Sequence, residues 1–137
     1  MAGQARRPYM QRPYTPGDLA ALGQPALDGR LGEGKDALTL ARQGHICAVW
    51  GVVHGANTDE LWMVVHERLT LPERSTVARR VARWTRAFLQ TSYRVQAHCE
   101  MTDYEGQRFV AWLGFARVGT VTLQGVAYVR YSYQGRP

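Results

Sequence analysis

The chain has 137 residues and a mass of 15.4 kDa, the size of one domain, and its 45% hydrophobic and 20% charged residues exclude extended disorder. No apolar run nears the roughly 18 residues that span a bilayer, and the start, MAGQARRPYMQRPYTPGD, lacks an apolar signal stretch, so the chain is expected inside a cell. A net charge of +6 favours nucleic acid, an anionic cofactor or an acidic protein surface as partner, although all basic residues but Lys35 are Arg, a skew that codon usage alone produces.

Residues 1–12 carry Arg6, Arg7 and Arg12 without an acid, are punctuated by Pro8 and show no helical period. They read as a basic arm ahead of a domain over 13–137. Tyr14 to Leu22 reads as a turn into a short helix that ends near Gly23 and Pro25, and a Gly-rich loop follows. Residues 36–42 and 45–53 form an antiparallel hairpin across Gln43-Gly44, and the near-continuous apolar second strand suits a central position. Another buried strand covers 60–65.

The period then changes. Val77, Val81, Trp84 and Phe88 make one apolar stripe opposite Arg79, Arg83 and Arg86, which predicts an amphipathic helix over 71–91. Thr70 and Glu73 have capping-box spacing, and Pro72 suits a first turn. Residues 93–99 alternate as a strand. Thr102 and Glu105 repeat the capping-box spacing before a short helix with Phe109, Trp112 and Leu113 inward, ended by Gly114. Strands over 115–123 and 126–133 close the chain around Gln124-Gly125, with Tyr131 and Tyr133 on one face and Tyr128 and Arg130 on the other. The order is strand, helix, three strands, long helix, strand, short helix, two strands, an α+β pattern.

Cys47 and Cys99 sit in apolar strands and read as buried thiols, too few for a disulfide scaffold. His45, His54, His66 and His98 lack ligand spacing, so no metal is expected and the histidines read as isolated structural residues. Neither a nucleophile elbow nor a DNA-reading motif is present.

The run from Val95 to Phe115, ending in Leu113-Gly114-Phe115, resembles the strand, helix and Leu-Gly-Phe ending of GNAT-type N-acetyltransferases, and the element order is similar from about residue 10 to 133. The resemblance implies a single α+β GNAT-like domain: a mixed, mostly antiparallel sheet of about six to seven strands with helices on both faces. In active members acetyl-CoA binds at a Gln/Arg-x-x-Gly-x-Gly/Ala turn, where a helix N-terminus and glycine let phosphate oxygens approach the main chain. Here no glycine lies between Gly55 and Gly106. The position of the general-acid Tyr of active members falls on Val110, and that of their Asn on Asp103.

If the chain is active, the resemblance implies a general base at Glu60, His66 or Glu67, with Glu60 or Glu67 preferred. Val65, Arg68, Arg74, Ser75 and Thr76 would then hold acetyl-CoA. The eroded pattern is also similar to small GNAT-like proteins of short-tailed (podovirus) phages, which implies a non-catalytic structural or assembly component without a cofactor. Its location would be the virion, assembled in the bacterial host cytoplasm, or otherwise the cytoplasm. Expected partner-binding residues are Arg6, Arg7, Tyr9 and Arg12 of the arm and Arg79, Arg80, Arg83 and Arg86 of the long helix. The alternatives are an acetyl-CoA-dependent N-acetyltransferase and a sequence-independent DNA-binding module.

Overall fold

The computed structural model describes residues 8–25, 27, 36–92 and 94–134. Its elements are β1 (Tyr9–Pro13), α1 (Asp18–Ala21), β2 (Ala37–Arg42), β3 (His45–His54), β4 (Asp59–Val65), α2 (Leu71–Thr91), β5 (Arg94–Glu100), α3 (Tyr104–Trp112), β6 (Ala116–Leu123) and β7 (Val126–Gln134). The strands make one seven-stranded sheet in the order β1-β2-β3-β4-β5-β7-β6. It is mixed: β4 and β5 run parallel, as the long crossover through α2 requires, while β1-β2, β2-β3, β5-β7 and β6-β7 are antiparallel. Among the described residues, no helix is long and apolar enough to cross a membrane.

Two compact units divide the chain, and β4 and α2 pass from one to the other. The first holds β1, β2, almost all of β3, the end of β4 and the start of α2. The turn between β2 and β3 is set by Gln43 and Gly44, at φ 53 and 80, the left-handed pair that a two-residue hairpin demands. Cys47 to Val52 are all buried, so β3 is covered on both faces, and Trp50, Val49, Leu40 and Leu19 centre this unit's core. At Gly51 an added Cβ would stand 2.8 Å from the Ala37 Cα, closer than two carbons approach, so only glycine allows that register.

The basic arm expected over 1–12 is corrected here: from Tyr9 onward it is an edge strand, paired from Tyr9↔Arg42 to Pro13↔Leu38. Arg6 and Arg7 lie outside the described residues. Beyond the pairing with β2, a clamp holds the strand in place. Both guanidinium branches of Arg12 donate to Asp18, at 2.8 and 2.9 Å, and the Thr15 N–H (2.9 Å) and Thr39 hydroxyl (2.7 Å) donate to the same carboxylate. Burial alone would raise the Asp18 pKa, but the bonds from Arg12, Thr15 and Thr39 hold it below its ordinary value, while Asp18 raises that of Arg12. Tyr9 is likewise used internally. Arg42 lies 5.0 Å from its ring centroid and donates to its Oη at 3.2 Å.

The second unit holds the rest of β4 and α2 together with β5, α3, β6 and β7. Its core gathers Val81, Val95, Ala97, Leu113, Phe115, Val129 and Tyr131, the last settling which tyrosine face of β7 points inward. Gln124 and Gly125, at φ 51 and 81, make the β6-β7 turn. α3 begins one residue later than the capping-box spacing suggests, because the Asp103 side chain accepts the Gly106 N–H at 2.9 Å. Gly114, at φ 103, ends α3. The inward placement of Trp112 is also corrected: Val110 and Leu113 fill the core side of α3, and Trp112 is 53% exposed.

Candidate functional site

Two places carry chemistry, one in each unit. In the first unit, β4 ends at Val65 and the chain turns through His66 to Thr70 into α2. The His66 N–H donates to the Cys47 carbonyl at 2.9 Å, and His66 Nδ1 accepts the Arg68 N–H at 3.0 Å. The Nδ1 lone pair is thus engaged in the turn, which removes His66 as a free base. Thr70 and Glu73 form the expected box: Thr70 N–H donates to Glu73 Oε1 (2.9 Å), and Glu73 N–H to Thr70 Oγ1 (3.3 Å). The Thr70 N–H first, and the Thr70 side chain after it, lower the Glu73 pKa and keep its charge at the helix start.

A helix N-terminus receives a diphosphate through its first-turn N–H groups and their positive field. Here Pro72 has no N–H, that of Glu73 is bonded to Thr70 Oγ1, and that of Arg74 to the Thr70 carbonyl at 2.9 Å. Ser75 and Thr76 lie at the fifth and sixth helical positions, where N–H groups bond within the helix. The Glu73 carboxylate, its pKa lowered, adds a negative charge to the first turn. The expected set of Val65, Arg68, Arg74, Ser75 and Thr76 therefore meets a first turn in which Pro72 has no N–H and those of Glu73 and Arg74 are already bonded.

In the second unit, β4 and β5 pair only from Asp59↔Val95 to Leu61↔Ala97. This short parallel ladder places Glu60 beside His98, and His98 Nδ1 lies 2.6 Å from Glu60 Oε1. The Tyr128 ring stands edge-on to the imidazole at 6.4 Å. With the Nδ1 proton in that bond, the carboxylate fixes the ring and leaves Nε2 as a base, the arrangement by which an imidazole takes a proton. His54 pairs with Asp59 in the same way at 2.9 Å, so the histidines are not isolated as expected. Glu67 is exposed in the turn before α2.

His98 was missed because it lies 38 residues from Glu60, but a signal existed. Two strands joined by a long helix run parallel and adjacent, which brings 59–61 against 95–97. The thiols behave as expected. Burial raises the pKa of Cys47, and that of Cys99 to about 11. No group of His, Cys, Asp and Glu among the described residues could hold a metal ion.

Neither a known protein-family model nor a curated protein sequence matches the chain. Solved structures do. The ribosomal-protein-S18-alanine N-acetyltransferase of Escherichia coli superposes with a TM-score of 0.67 at 9% identity, over 95% of this chain and 96% of that one. An N-acetyltransferase of Staphylococcus aureus gives 0.67 at 12% identity, over 93% and 98%. A Bacillus subtilis acetyltransferase in complex with CoA gives 0.62 at 12%, over 94% and 99%. At these identities the likeness concerns the backbone, and the chain has the fold of the GNAT acetyltransferases.

Proposed function

We propose that this GNAT-fold chain works as a binding component of a larger assembly and does not hold acetyl-CoA at α2. The observation that supports this is the Thr70-Glu73 box, which engages the Glu73 N–H and sets a carboxylate at the helix start beside Pro72, which has no N–H. Val110, buried in α3 where active members have their Tyr, offers no O–H for a leaving thiolate. A phage particle, and with it a virion location, is the setting suggested by the sequence resemblance, with neighbouring subunits as partners of the α2 arginines Arg79, Arg80, Arg83 and Arg86. None of the structures named above is a virion protein.

The second reading is an acetyl-CoA-dependent N-acetyltransferase. The matched structures favour it, one of them being a complex with CoA, and so does the oriented Glu60-His98 pair, a fitting base for an amine. Isothermal titration with acetyl-CoA separates the two. The binding reading expects no heat up to millimolar cofactor for the wild type. Saturable binding, or acetyl transfer lost on His98→Ala, would establish the second.

A further inference from the structure

Tyr104, Arg108 and Trp112 recur at intervals of four along α3, so they share one side of that helix, and all three are exposed, Tyr104 by 69%. Arg86 of α2 reaches this row, its guanidinium 4.8 Å from the Trp112 ring centroid. Arg83, one turn before Arg86, is exposed as well. The result is a strip in the second unit where aromatic faces alternate with permanent positive charge, with Glu105 the acid on α3. An aromatic stripe of this kind is ordinarily core, yet here the core side is already filled by Val110 and Leu113.

We infer that this strip binds single-stranded nucleic acid without sequence preference. Charge complementarity carries the choice of partner: arginine supplies phosphate contacts, and exposed Tyr and Trp faces supply platforms on which bases stack. Tyr104 and Trp112 are eight residues apart, about 12 Å along the helix axis, a spacing that lets two bases of one strand stack with Arg108 between them. A duplex keeps its bases stacked inside and cannot use the rings. This inference goes beyond the proposed assembly role and is independent of whether acetyl-CoA binds.

The test is fluorescence anisotropy with a labelled dT 12-mer, the same length as duplex, and polyglutamate as competitor, on the full chain. Expected are binding that weakens as salt rises, preference for the single strand, and a roughly 5- to 150-fold loss on Trp112→Ala or Tyr104→Ala. Arg108→Ala should lower the slope of log affinity against log salt by about 0.7. Circular dichroism melting confirms that each variant folds, as expected for exposed positions. Failure to bind the oligomer at low salt would overturn the inference. So would unchanged affinity in folded Trp112→Ala and Tyr104→Ala, or displacement by polyglutamate as effective per charge as by unlabelled dT, which would mark a mere polyanion or acidic-protein surface.

Discussion

Asp18 and Glu60 are both carboxylates facing a cationic or basic side chain, and they do opposite work. The Asp18 side chain is 10% exposed and takes four donors from three other residues, so its charge is fully answered inside the first unit. Glu60 is 49% exposed and meets His98 through one bond in the second unit. Burial with many donors makes an anchor, because removing one partner leaves a charge stranded away from water. Exposure with one donor makes a pair that water screens and that contributes little to folding.

The comparison is broken most severely at Asp18. Asp18→Ala leaves the buried Thr39 hydroxyl without its acceptor and the part-buried Arg12 without its partner, and should cost about 2–3 kcal/mol, read as a lower urea midpoint. Deleting residues 1–12 removes β1 and Arg12 together and should destabilise the fold as well, which a dispensable arm would not do. The Asp18 pKa is lowered on folding, so its contribution is complete above the ordinary carboxylate range, fades below it and is lost as pH falls through the lower folded-state pKa. The stability gap between wild type and Asp18→Ala should therefore be wide at pH 7 and narrow near pH 3 in urea titrations.

Smaller effects follow. Thr85 is fully buried in α2 and its hydroxyl has no hydrogen-bond partner among the described residues, so Thr85→Val should be stabilising by about 1 kcal/mol in thermal melts. Glu73→Ala removes half of the capping box and should cost about 1 kcal/mol. Glu60→Gln should shift stability by under about 1 kcal/mol, and a larger loss would mean that the Glu60-His98 pair is an anchor after all.

Local signals carried the parts of the fold that the sequence made legible. α2 runs over Leu71–Thr91 as its stripe and the Thr70-Glu73 spacing indicated, and the turns at Gln43-Gly44 and Gln124-Gly125 sit where their residue types placed them. What was hidden is non-local. β1 is a strand because β2 lies beside it, and Arg12 finds Asp18 through a turn whose geometry no periodicity reports. Trp112 departs from the expectation because an aromatic at helical spacing is normally core, whereas here the ring stays exposed and a guanidinium from another helix stands over one of its faces. The Glu60-His98 pair needed the parallel register of β4 and β5.

The central proposal is that the start of α2 does not receive acetyl-CoA, and calorimetric titration of acetyl-CoA into the wild type and into Glu73→Ala tests it most directly. The account predicts no binding to the wild type, with Glu73→Ala the variant in which affinity would first emerge. Tight binding to the wild type would contradict it, and would appear independently as a stabilisation of about 2.7 kcal/mol at 100 times the dissociation constant.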